Sequence, residues 1–365
     1  MPEPNGTAPP PASVNPNVTA RTQAASTTPA VPKPEPSPYT RSLVKALAEI
    51  DLKNGPMTPE KAEAWKAALA QLKQQGAAGV PAILEYMEKN TDISFDALGV
   101  SKDLGSSSVR MALLESLGSL GSEGIAPSLQ VLQTTTDPRE IAYLAGSLDA
   151  AAPEQYRQEI LRAARDTIGM AGENKLPGVD VGALFDTLKK YGGPGAVADL
   201  EGLANNYRYY SLIALGTMPD NAGVNSLISM ATDPNNPNKS ARNPALQMLA
   251  QLAPQSPEAQ TALLNEIKAD SIPYAPWVTI ADVLGGGKFY IGNPSTMGGN
   301  QPGDKTWHLP GGNQSFYLRP DPNMTPEQVQ QNINFINQAL AITKNQAAQE
   351  LLQRSLGQLQ GRLGK

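Results

Sequence analysis

Four stretches of this chain place a side-chain oxygen, a proline and a glutamate in one order. They are Thr58-Pro59-Glu60, Asp137-Pro138-Arg139-Glu140, Ser256-Pro257-Glu258 and Thr325-Pro326-Glu327-Gln328. The oxygen accepts from N–H groups that a first helical turn leaves unpaired, and proline stands where its missing donor costs nothing. A carboxylate then meets the positive end of the helix dipole. Thr325 and Gln328 have capping-box spacing, and Asp137 and Glu140 have it in a looser form. Apolar residues follow at helical steps: Trp65, Leu69 and Leu72, then Val80, Ile83, Leu84 and Met87. Val109, Leu113, Leu114, Leu117 and Leu120 stop at Gly121, and Ile125, Leu129 and Leu132 precede Asp137. Further helices are expected near 138–151, 154–170, 180–191, 195–204, 207–217, 221–231, 241–252, 257–269 and 274–284. The short connections between them make neighbours antiparallel. Within 58–285 no stretch alternates with the period of two that a strand requires.

The starts of alternate helices resemble one another. Gly79-Val80-Pro81-Ala82-Ile83-Leu84, Gly124-Ile125-Ala126-Pro127-Ser128-Leu129, Gly195-Ala196-Val197-Ala198-Asp199-Leu200 and Gly223-Val224-Asn225-Ser226-Leu227 align by eye. Small residues (Ala145-Gly146, Ala214, Gly216) should let helices approach closely. The segment Ser108-Val109-Arg110-Met111-Ala112-Leu113-Leu114-Glu115-Ser116-Leu117-Gly118-Ser119-Leu120-Gly121 looks like the first-helix pattern of HEAT repeats. Leu129 to Leu148, with Asp137-Pro138-Arg139 at the turn, is similar to that family's loop and next first helix. The resemblance covers about 60–285; irregular spacing and a long insert at 91–105 depart from it. It implies an all-α fold, a right-handed α-solenoid of HEAT-like antiparallel helix pairs, with the family's usual role of holding partners. A helix pair cannot bury its own apolar flank, whereas stacked pairs share a continuous core.

Four regions follow: a Pro/Ala/Thr-rich tail and lead-in over 1–57, the solenoid over 58–285, an insert over 286–324 and a C-terminal helical hairpin over 325–365. The insert opens with Gly285-Gly286-Gly287 and is rich in Gly, Asn and Pro. Its runs Phe289-Tyr290-Ile291, Trp307-His308-Leu309 and Phe316-Tyr317-Leu318 are expected to form small strands, the last two turning at Pro310-Gly311-Gly312-Asn313. In the hairpin, Val329, Ile333, Ile336 and Leu340 repeat steps of three and four, as do Leu352, Leu356, Leu359 and Leu363. Such a hairpin either caps the last exposed solenoid face or joins two copies as a dimer.

From Pro2 to Pro38 there are 11 prolines, and Val14, Val18 and Val31 are the only sizeable apolar side chains. Burial this small does not offset the entropy of ordering, so the segment reads as a stalk or an untethered tail. Its charges cancel, and the formal net charge of −5 belongs to the remainder. An acidic body repels a phosphate backbone, which argues against nucleic acid as a partner. Without cysteine there are no disulfides, thiolate metal sites or cysteine nucleophile. No apolar run of membrane-spanning length exists. The start Met1-Pro2-Glu3-Pro4 lacks signal-peptide character. The expected location is the cell envelope or periplasm if an upstream signal was removed, and the cytoplasm otherwise.

Chemistry is thinly signalled. His308 is the sole histidine, and a general base needs a substrate or nucleophile and an orienting partner beside it. Asp233-Pro234-Asn235-Asn236-Pro237-Asn238 and Asp321-Pro322-Asn323 begin like calcium loops but lack the later ligands, so they read as Asx turns. Gly285-Gly286-Gly287-Lys288 lacks the spacing and the following Ser or Thr of a phosphate loop. Tyrosine and arginine are favoured at interaction hot spots, which singles out Asn205-Asn206-Tyr207-Arg208-Tyr209-Tyr210. Either these rings contact a partner or two of them pack between repeats. The expectation is a non-catalytic scaffold or adaptor for another protein, with no cofactor and no metal. Tyr207, Arg208, Tyr209, Tyr210, Trp307, His308, Phe316 and Tyr317 are its contact residues. Two readings stay open: an enzyme or enzyme-accessory protein of lyase or hydrolase type, and a tethered structural envelope protein.

Overall fold

The computed structural model describes residues 34–49, 56–292, 299–309 and 314–364. The tail expectation for Pro2 to Lys33 and the turn at Pro310-Gly311-Gly312-Asn313 lie outside the described residues. By its contacts the chain divides after Glu35, and every element below belongs to the unit Pro36–Lys365.

The first half holds α1 (Pro38–Ala48), α2 (Pro59–Gln74), α3 (Val80–Met87), α4 (Ser101–Leu104), α5 (Val109–Gly118), α6 (Ile125–Leu132), α7 (Pro138–Ala151) and α8 (Arg157–Gly172). There follow α9 (Gly182–Gly192), α10 (Val197–Leu203), α11 (Arg208–Gly216), α12 (Val224–Thr232), α13 (Arg242–Leu252), α14 (Pro257–Lys268) and α15 (Tyr274–Leu284). A three-stranded sheet, β1 (Gly287–Ile291), β2 (Lys305–His308) and β3 (Ser315–Pro320), precedes α16 (Pro326–Ile342) and α17 (Gln346–Leu363). The unit is thus mostly helical with one small sheet.

Helices pack in two layers. In one, α5, α7, α9, α11, α13, α15 and α17 touch in succession. In the other, α3, α6 and α8 form one run and α12, α14 and α16 another. Most helices also touch the next in sequence, so apolar residues on two sides are buried along one continuous core.

A recurrent corner joins four of these helix pairs. It is a short 3-10 turn with a positive-φ residue three positions before the next helix entry: Gly76 (φ 55°), Gly121 (φ 59°) and Gly193 (φ 51°) open their turns, and before α12 Asp220 (φ 53°) is the second residue of the turn. Three residues later the chain enters α3, α6, α10 and α12 through Gly79, Gly124, Ala196 and Gly223. A Cβ at Gly124 would lie 2.1 Å from the Leu117 carbonyl oxygen, and one at Gly223 2.4 Å from that of Leu215. Glycine there lets the turn fold back on the preceding helix. The third member of the sequence alignment shifts by one position, because Ala196 rather than Gly195 stands where Gly79 and Gly124 do. The close-approach expectation holds at Gly216, whose added Cβ would meet Met248 at 3.2 Å; Gly146 faces open space.

The proline-marked starts are capped as their sequences require. Thr58 Oγ1 accepts from Lys61 N (3.3 Å), Asp137 Oδ1 from Arg139 N (2.8 Å) and Ser256 Oγ from Ala259 N (3.3 Å). At α16 the capping box closes, with Gln328 N to Thr325 Oγ1 at 3.2 Å and Thr325 N to Gln328 Oε1 at 2.9 Å. Glu140 departs from the looser box read for it: its carboxylate turns inward to Arg110 (2.5 Å).

Two stretches outside the recognised repeat are also packed. Part of the lead-in is helical, for α1 buries Leu43, Val44 and Leu47. In the 91–105 insert, Phe95 is fully buried edge-on against Trp65, with centroids 5.3 Å apart. At the other end α16 packs on α14 and α17 on α15. Asn332 Nδ2 donates to the Leu284 carbonyl at 2.8 Å and Ser355 Oγ to that of Ala281 at 2.6 Å. Among the described residues no helix is long and apolar enough to cross a membrane.

Candidate functional site

The expected strands form, and the arrangement has three members rather than a single hairpin. Gly286 (φ 99°) turns α15 into β1, and its N–H bonds to the Val283 carbonyl, so the glycine run is a corner. β3 lies centrally, antiparallel to both β1 (Phe289 opposite Leu318) and β2 (Trp307 opposite Phe316). Alternation sends Phe289, Ile291, Phe316, Leu318 and Trp307 to one face and Lys288, Tyr290, Tyr317 and Arg319 to the other. β1 packs on α9, α11 and α15, and its Phe289 N–H donates to Gln251 Oε1 of α13 at 2.9 Å. Gly182, which opens α9, is needed here: a Cβ on it would sit 2.6 Å from Ile291 Cγ2. The turns at Asp233 and Asp321 are Asx turns, with Asn235 N and Asn323 N bonded to the aspartate Oδ1 at 2.8 and 2.9 Å.

The two motifs singled out in the sequence meet in this joint. Tyr209, half-buried on α11, stacks on Phe316 at 4.2 Å, and Trp307 stacks on the other side of Phe316 at 5.1 Å. Tyr210 Oη donates to Asp180 Oδ1 at 2.7 Å and accepts the Ser315 N–H. Tyr207 packs on Phe185 at 5.5 Å, and Tyr317 stacks on Tyr290 at 5.1 Å beneath the Arg319 guanidinium. Tyr207, Tyr210, Phe316 and Tyr317 are buried instead of facing a partner: Tyr210 and Phe316 in the joint itself, Tyr207 against Phe185 of α9, and Tyr317 against Tyr290 on the sheet's other face. The physical reason is that the sheet covers α11, an almost wholly apolar helix. Arg208, Tyr209 and Trp307 remain half-exposed at the rim, and His308 is exposed with Nδ1 2.9 Å from Ser315 Oγ. Arg208 Nε and Gln314 Oε1 are buried with no hydrogen-bond partner in the protein. Gln314 Nε2 bonds to the Asn206 carbonyl at 3.1 Å.

Sequence reading missed Asp180, Gln251 and Arg319, whose roles depend on long-range partners. Asp180 precedes α9, where an acidic residue signals only a cap. Burial of its inward oxygen pushes its pKa up, while the Gly182 N–H (2.8 Å) and Tyr210 pull it back. Burial, helped by Asp180's charge, raises the Tyr210 pKa strongly. This pair is a clamp between helices and sheet, with the hydroxyl proton held in place.

Arg319 donates to both carboxylate oxygens of Asp304 (2.9 and 2.8 Å) and thereby holds that pKa below its ordinary 3.8. A value lowered by folding contributes stability above 3.8 that is lost as pH falls through the folded value. Asp180 acts with the opposite sign. Acid titration followed by near-ultraviolet dichroism should therefore show aromatic signal lost below 3.8, and Asp304→Asn should remove that component. An unchanged titration would mean the contact is absent in solution.

Among the described residues no three His, Asp or Glu side chains converge to hold a metal ion. A broad groove of about 630 Å³ between α12 and α14 carries Glu258 and Glu266, already engaged by Ser256 and Arg242. No family model matches the chain, and no curated protein matches it.

Proposed function

We propose that the chain is a right-handed α-solenoid of HEAT-like antiparallel pairs, acting as a non-catalytic scaffold that holds another protein. The recurring corners and the two-layer succession of helices support the repeat reading. The rim of the sheet–α11 joint carries the functional one. Tyr209, Trp307 and His308 lie there around Phe316 and Ser315, and half-exposed Arg208 is the neighbour of Tyr209 on α11. Aromatic and arginine side chains are the types that dominate binding energy. Exposed Gln353, Arg354, Gly357 and Gln360 on α17 favour a polar cap over a dimer seam.

Crosslinking in cells that carry the protein, followed by mass spectrometry, tests this. Proteins captured by the parent chain should be lost with Arg208→Ala/His308→Ala at an unchanged Tm. Capture of the same set by a folded variant would defeat the rim as the contact.

A further inference from the structure

We propose that the cleft where α11, α13 and α15 end is a binding site for a neutral polyhydroxylated molecule the size of one sugar ring. The cleft encloses about 220 Å³ and lies between these helix ends, the start of β1 and the first turns of α16. Drug-sized ligands occupy roughly 300–1,000 Å³ of mostly apolar space, so this smaller space suits a smaller guest.

Its lining selects the chemistry. Gly216, Leu252 and Val283 bring the carbonyl ends of three helices to the wall. Their partial negative charge, together with Asp321, disfavours an anion. Lys288, half-buried on the opposite side of that balance, disfavours a cation. A guest without net charge avoids desolvating an unpaired ion. Gln255 adds an amide, which offers a donor and an acceptor side by side, as adjacent hydroxyls do, and Gln328, whose Oε1 is taken by the Thr325 N–H, adds a donor. Met218 and Met324 supply the apolar contact that the C–H side of a sugar ring needs. The proposal uses none of the rim residues and stands apart from the scaffold reading.

The test is titration of the isotopically labelled full chain with glucose and N-acetylglucosamine, and with glucose 6-phosphate and glucosamine as charged probes, at millimolar concentrations. Neutral sugars should shift the amide resonances of Gly286 to Phe289 and the side-chain amide of Gln255. Lys288→Met should weaken neutral-sugar binding about tenfold, as for loss of one hydrogen bond to a charged group. The same variant should improve glucosamine relative to glucose, because only the negative contributions remain. Gln255→Ala, at an exposed position, provides a second variant that keeps the fold and should also weaken binding. Three results would overturn the proposal: no shifts with either neutral sugar, tighter binding of the phosphate or ammonium probe by the parent chain, or equal affinity in parent and folded variants.

Discussion

Arg110→Ala is expected to lower the unfolding free energy by about 3–5 kcal/mol, the usual cost of removing one partner from a buried ion pair. Arg110 and Glu140 are 6% and 2% exposed, so neither charge is hydrated. The guanidinium spans both carboxylate oxygens (2.5 and 2.9 Å) and donates to the Met87 carbonyl at 2.9 Å. It therefore ties α5 to α7 and to the end of α3. Without it Glu140 keeps one strong donor, Thr135 Oγ1 at 2.6 Å. The double replacement Arg110→Met/Glu140→Leu removes both charges and should recover most of the loss. Urea unfolding followed by far-ultraviolet dichroism measures both, with the slope m showing whether the unfolded reference has changed. A single-variant cost below about 1 kcal/mol, the range of solvated surface pairs, would show that the pair is open to water.

Phe316→Ala should cost a similar amount, about 3–5 kcal/mol, for a different reason. The ring is 2% exposed and lies between Tyr209 and Trp307, with Phe289 at 6.3 Å. Truncation removes two stacked contacts and leaves a cavity on the central strand. The remaining polar ties from the sheet to the helices are few: Tyr210 to Ser315, Gln251 to Phe289, Gln314 to Asn206 and Lys305 to Asp282. Near-ultraviolet aromatic signal should thus be lost at lower urea than the helical signal, because the sheet opens as its own cooperative unit. Phe316→Leu fills most of the volume and should cost less than about 1.5 kcal/mol. Coincident loss of both signals in the alanine variant would show that sheet and helices unfold as one.

Both variants act through residues whose importance is absent from their local sequence. Glu140 reads as a first-turn acid, and its neighbours Asp137 and Pro138 support that reading completely; only the arrival of Arg110 draws it inward. Tyr207 and Tyr210 read equally well as surface or interior, since a helix as apolar as α11 is buried on both sides only when something covers it. The covering sheet begins only at Gly287, and the Ser315–Tyr210 bond spans 105 residues. By contrast, the capping box of Thr325 and Gln328 was readable from four consecutive residues.

The position of most helices, their capped starts and the stop at Gly121 were legible in sequence alone, because caps, proline and left-handed glycine act within one turn of the chain; α1, α4 and the corner at Gly193 were not. Tertiary structure alone decided that β3 sits between β1 and β2, that the sheet covers α11, and that Asp180, Gln251 and Glu140 serve as ties. Ladder bonds and buried polar pairs draw their energy from partners remote in sequence. A residue's own surroundings specify that it needs such a partner, and packing of the whole unit specifies which one.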